Sequence, residues 1–191
     1  MDEKLKMNIQ KADSQFVESD FYNWCKDVMN ELEEAWSNKD IELLAEYETK
    51  QLFSLHQEQL KNMEQRNVKN VVKDIQINSL HIVGYEQKKD LDCIEVNIEM
   101  SLIDYYCSID SAEILRGSST KKRNVKYKVV FVKDVHIQSD GFQSLKSLTV
   151  CPYCGAPIDL KKTSHCEYCQ RDIHARKSCY KIDELEILTL V

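Results

Sequence analysis

Cys151-Pro-Tyr-Cys154 and Cys166-Glu-Tyr-Cys169 form two pairs of thiols, with two residues inside each pair and eleven between the pairs. That spacing lets one turn hold two sulfurs against a tetrahedral ion, and four soft ligands leave no open position for water or substrate. The chemistry implied is structural zinc binding by Cys151, Cys154, Cys166 and Cys169, a staple and not a catalyst. Gly155 follows the first pair, where a residue free to take positive φ turns backbone amides toward sulfur. Gln170 takes the equivalent place after the second pair. His165 and His174 flank that pair and are alternative ligands, but four thiolates already complete the tetrahedron.

Groups able to do catalysis are sparse. Asp104, beside Tyr105 and Tyr106 at the end of an apolar run, is the one carboxylate placed to act as a general base; a turn or hydrogen-bonding role is the competing reading. Cys107 has no neighbouring histidine and no glycine-rich helix start to activate it. Neither a phosphate-binding loop nor a His-Glu-x-x-His pair occurs.

The elements that must position these groups belong to a chain of 191 residues with a formal charge of -6, enough for one buried core and a small appendage. The negative balance disfavours nucleic acid and anionic lipid as partners of the surface as a whole. Lys121, Lys122, Arg123, Lys126 and Lys128 make one local basic strip, either a solvated hairpin end or a binding patch. No run of about 18 apolar residues could cross a bilayer, and no apolar signal region follows the charged start. Eight cysteines, four of them isolated (Cys25, Cys93, Cys107 and Cys179), suit a reducing compartment, which gives a cytoplasmic expectation.

Residues 1–15 are polar and aperiodic and read as a flexible arm. Phe21, Trp24, Cys25, Val28, Leu32, Ala35 and Trp36 then recur at steps of one, three and four, one stripe along a helix capped by Ser19 or Asp20. A second helix starts after Asn38 or Asp40 and uses Ile41, Leu44 and Tyr47. A third starts at Thr49 and presents Phe53, His56, Leu60 and Met63 on one side, His56 as a packed or boundary residue. After Asn67 the period becomes two. A strand over 71–85 needs a bulge near Asn78 and Ser79 to keep one inward face. Ile94, Val96, Ile98, Met100 and Leu102 line one face of the next, and Tyr127, Val129 and Phe131 mark a third. A last strand over 180–190 is too apolar to be a loose tail. The cysteine module, 141–177, is therefore inserted into a domain formed by 16–140 and 178–191. Helices against a bent antiparallel sheet make an α+β cone, whose mouth Trp24, Trp36, Tyr47, Phe53, Met100 and Asp104 either line or fill.

Phe21-Tyr22-Asn23-Trp24, Glu34-Ala35-Trp36, Leu52-Phe53 with His56, Asp104-Tyr105 and the two cysteine pairs, taken together, resemble the bacterial Tim44-like proteins with an embedded zinc ribbon. The resemblance implies an NTF2-like cone, with the zinc ribbon before the last strand, and a non-enzymatic binding or scaffold role in a transport-related protein. The ligand so implied is a protein, a peptide or a lipid-like molecule, and the site is cytoplasmic or peripheral at the cytoplasmic face of a membrane. Family members often carry a membrane anchor ahead of the domain; with none here, the expectation is a soluble member or a fragment. An enzyme using Asp104 and neighbouring tyrosines is the alternative, and a zinc module that serves as a dimerisation surface is a third.

Overall fold

The computed structural model describes residues 1–139, 141, 142, 145, 148–159, 165–173 and 178–190. Four helices, α1 (Glu3–Ala12), α2 (Glu18–Asn38), α3 (Ile41–Tyr47) and α4 (Lys50–Gln65), precede the strands β1 (Val68–Lys88), β2 (Leu91–Ser108), β3 (Ile114–Gly117), β4 (Arg123–Asp134) and β5 (Lys181–Leu190). The sheet is antiparallel in the order β1-β2-β4-β5, with the short β3 paired to β2. Helices on one face of an open sheet, and a cysteine cluster ahead of the last strand, are the α+β arrangement expected from the sequence.

The inner face follows from alternation. Ile94, Val96, Ile98 and Met100 have no exposed surface and Leu102 has 1%, so five successive inward positions of β2 are shut from water. Each such side chain contributes about 1.5–3 kcal/mol relative to exposure. The stripe on α2 closes over them, with Phe21, Trp24, Cys25, Val28, Leu32 and Ala35 all buried. β1 shifts register between Ile77 and Ser79, where a bulge was expected, and again at Lys73/Gln76 and Ile82/Gly84. Three irregularities bend this long strand more than one would. In β3, Gly117 has φ +87°, and a Cβ there would lie 2.5 Å from the Asp104 carbonyl oxygen.

Two expectations are corrected. Residues 1–15 are not an arm: Asp2 caps α1 by accepting from the Lys4 and Leu5 amides, Ile9 is wholly buried, and Asp13 accepts the Tyr180 hydroxyl at 3.1 Å. Apolar residues are too thinly spread there for a helical period to show, and burial against the rest of the chain supplies the order. The start of α2 is not capped by Ser19 or Asp20 either. Val17 holds the cap position without a side-chain bond, and Ser19 and Asp20 fall in the first turn. The other two starts agree: Asp40 accepts from the Leu43 amide and Thr49 from the Leu52 amide.

The junction of α3 and α4 also clamps the last strand. Glu48 bridges to Ile182, the Thr49 amide donates to the Ile182 carbonyl at 2.8 Å, and the Thr49 hydroxyl donates to Asp183 at 2.8 Å. β5 is thus an integral strand, with Ile182 fully buried.

Candidate functional site

The cysteine module is built from two matching turns. Gly155 N–H donates to the Cys151 carbonyl at 2.9 Å and Gln170 N–H to the Cys166 carbonyl at 2.8 Å; Gly155 has φ 73° and Gln170 φ 60°. Each turn is closed by a short bridge, Val150 to Pro157 and His165 to Asp172. Gln170 accepts the left-handed conformation that glycine adopts freely. The four sulfurs lie within 4.8 Å of one another, Cys151 to Cys169 at 3.8 Å and Cys154 to Cys166 at 3.7 Å. A tetrahedral thiolate site with metal–sulfur bonds of about 2.3 Å has sulfurs about 3.8 Å apart, whereas a disulfide needs about 2.05 Å. The cluster therefore fits a metal ion and not two disulfides. Loss of water opposes ionisation of Cys151, but the Tyr153 and Cys154 amides together with the Cys154 and Cys166 thiols outweigh it and draw the thiol down to about 7. Among the described residues no histidine joins the cluster. His174 lies outside them.

The module rests on the helix layer. Asp27, buried in α2, accepts the Leu145 amide at 2.8 Å, and Cys151, Cys166 and Ile173 form a small core of their own.

A cavity of about 460 Å³ opens between the helices and the sheet. Leu55 of α4 and Leu185 and Ile187 of β5 supply apolar wall, with Leu55 and Ile187 about half exposed. Buried Leu32, Leu44, Leu102 and Val125 share the lining with several polar groups. Trp36 Nε1–H donates to Asn70 Oδ1 at 2.9 Å, Asn70 Nδ2–H donates to Asp104 Oδ1 at 2.6 Å, and Arg123 donates to Asp104 Oδ2 at 2.9 Å. Both Asp104 oxygens are engaged, which lowers its fitness as a general base. Glu33, 7% exposed, meets the Tyr127 hydroxyl; burial is the main cause that pushes its carboxyl up to about 7, with the Tyr127 hydrogen bond opposing. The same burial raises the Tyr127 phenol. Glu48, 3% exposed, pairs with His56 Nδ1 through Oε1 at 2.7 Å, and its Oε2 is buried with no partner. The His56 ring also stands edge-on to Trp36 at 5.3 Å.

Of the side chains expected at the mouth, Trp36 and Asp104 are on the cavity wall. Trp24 and Met100 are instead packed into the core at 1% and 0% exposure. Tyr47 is buried with its hydroxyl on Glu31, and Phe53 packs at the core edge. Aromatic volume on an inward face does not distinguish filling from lining. Glu33 and Glu48 were missed. Glu33 left a trace, since it sits one turn from Met29 and next to Leu32 on the buried side of α2; Glu48, at a helix end, left none. The basic strip is largely neutralised: Arg123 pairs with Asp104, Lys126 with Glu99 at 3.3 Å and Lys128 with Glu184 at 3.5 Å. Among the described residues no helix is long and apolar enough to cross a membrane.

A fold of helices over an open antiparallel sheet with a cavity between the layers defines the class. Residues 4–143 match the Tim44-like domain, and the chain belongs to that family. The match begins within α1 and ends before the first cysteine pair and β5. Comparison with curated proteins gives no match.

Proposed function

We propose that this chain is a non-enzymatic binding or scaffold domain of a bacterial transport-related protein, which holds a segment of a protein or peptide, or a lipid-like molecule, in the cavity between its helices and sheet. It works in the cytoplasm or at the cytoplasmic face of a membrane. The observation that carries the reading is the cavity itself: a largely apolar lining that includes a few polar groups, in a member of the Tim44-like family, whose domains serve as binding modules. The engagement of both Asp104 oxygens by Asn70 and Arg123 favours binding over proton transfer.

The cysteine cluster holds zinc in this reading. Four thiolates at tetrahedral spacing suit its preference for soft ligands, and a closed ligand set suits a structural role. Its contribution is to tie residues between β4 and β5 into a compact unit on α2.

The test is a titration of the metal-loaded chain with six-carbon probes of different charge, followed by amide chemical shifts. Binding of any probe with shifts at Trp36, Asn70, Leu185 and Ile187 supports the assignment. Absence of shifts with every probe overturns it.

A further inference from the structure

The carboxyl groups that line the cavity are unequal. Asn70 and Arg123 engage both oxygens of Asp104, the Glu48 side chain has no exposed surface and is held by His56 at 2.7 Å, and Glu186 is exposed to water. Glu33 differs from all three. It shares the wall with buried Leu32, Leu44, Leu102 and Val125, and its hydrogen-bond partner, the Tyr127 hydroxyl, is neutral. At 7% exposure its charged form depends on that one bond and on what water the cavity admits; burial already raises the carboxyl to about 7. The titratable groups around it are Asp104 and Tyr106 of β2, Arg123 and Tyr127 of β4, His56 of α4, Glu48 at the end of α3 and Glu186 of β5. Asp104 opposes a charge on Glu33 and His56 favours one. β1 contributes Asn70 and Val72, which carry no charge.

The same groups limit the ligand. An anion would meet Asp104, Glu48 and Glu186 and be repelled. A cation finds Asp104 paired with Arg123, and Glu48 paired with His56 and closed to the cavity. An uncharged molecule with an apolar chain suits the 460 Å³ between Leu32, Leu44, Leu102 and Val125 on the inside and Leu55 and Ile187 at the entrance. Such a chain displaces cavity water. Ionised Glu33 then loses its remaining hydration, whereas the protonated form loses little. The Tyr127 bond is made with or without ligand and does not offset that loss.

We propose that the cavity takes an uncharged ligand with an apolar chain, and that Glu33 takes up a proton as this ligand displaces water, so that affinity falls as pH rises through neutrality. This rests on the binding role assigned above and names the ligand chemistry and the regulation of that same site. Below about pH 6 Glu33 is protonated with or without ligand, and affinity is at its maximum. Above neutrality the free chain is ionised there, and binding must first restore the proton, which weakens it. His56 acts with the opposite sign. Loss of water favours its neutral ring, so a ligand acting through His56 would release a proton and bind more tightly as pH rises.

The experiment uses the full metal-loaded chain and 1-hexanol, which does not titrate, with affinity read from amide shifts between about pH 6 and pH 9. Hexanol is expected to bind at least about threefold more tightly at the lower end, a part of the tenfold that one pKa unit is worth. Glu33→Gln, which cannot ionise, is expected to keep the low-pH affinity across the whole range. Equal wild-type affinities throughout, or an affinity that rises with pH, overturn the proton uptake and leave the binding role standing. A slope retained by folded Glu33→Gln overturns the assignment to Glu33. If that variant fails to fold, calorimetry of the wild type near pH 7.5 in buffers of different ionisation enthalpy decides. Net proton uptake on hexanol binding supports the proposal, and release or no exchange overturns it. Hexylammonium or hexanoate bound more tightly than hexanol at about pH 6 overturns the uncharged ligand, and no binding by any of the three overturns the binding role as well.

Discussion

Lys133 Nζ lies 2.9 Å from Asp92 Oδ2 with each side chain only 1% exposed, and the Tyr85 hydroxyl donates to the other Asp92 oxygen at 2.8 Å. The ammonium also donates to the Asp134 and Ile137 carbonyls and stands 5.8 Å from the centre of the Tyr180 ring. Removing one member of such a pair strands the other in a medium that solvates it poorly. Lys133→Met is expected to destabilise the fold by about 3–5 kcal/mol in urea denaturation. Adding Asp92→Asn should restore much of that loss. A double variant no more stable than the single one would show that the pair is not the source of the effect.

Metal removal should be felt beyond the cysteine module. The expectation is one zinc per chain by elemental analysis, with a chelator or Cys166→Ser lowering the thermal midpoint and loosening residues 178–182 in hydrogen exchange. Unchanged exchange in those residues after complete metal loss would separate the module from the sheet.

Glu33 should make stability depend on pH. Its carboxyl is raised from 4.5 to about 7 in the folded chain, chiefly by burial. The folded state therefore binds the proton more tightly than the unfolded state. The resulting stability is fully present below about pH 4.5 and is lost as pH rises to 7, a span on the order of 3 kcal/mol. Glu33→Gln, which keeps the shape and cannot ionise, should flatten this part of the profile. The measurement is the difference between the two denaturation profiles from pH 4.5 to 8, and a constant difference would contradict it.

Gly117→Ala should cost about 2 kcal/mol or more, since φ +87° and a 2.5 Å approach of the new Cβ to the Asp104 carbonyl oxygen act together. The displaced strand carries Asp104, so the Asn70 and Arg123 contacts should weaken as well. A denaturation midpoint equal to wild type would show that β3 simply moves away.

What could be read from residue order follows physical periodicity. The alternation from Ile94 to Leu102 and the spacing of the cysteine pairs are local patterns, and both reappear in the structure as one buried strand face and one sulfur cluster. Asp40 and Thr49 were legible as helix starts because capping is decided within four residues. α1 was not legible: Ile9 is its one buried side chain, and its order comes from contacts with distant residues. The polar part of the cavity lining was hidden for another reason. Glu33 and Glu48 look like ordinary surface carboxylates in sequence, and only the meeting of α2, α3, α4 and β5 places them in a wall. Trp24 and Met100 looked equally suited to that wall, but the same meeting buries them behind it.

The hydrogen bond from Tyr180 to Asp13 joins positions 167 residues apart. Neither end of that link can be made early by local search, because the intervening helices and strands must already have closed the distance. High contact order of this kind slows folding. α1 and β5 are therefore expected to arrive together in the last kinetic phase, and the cavity wall built from Leu185 and Ile187 is completed only then.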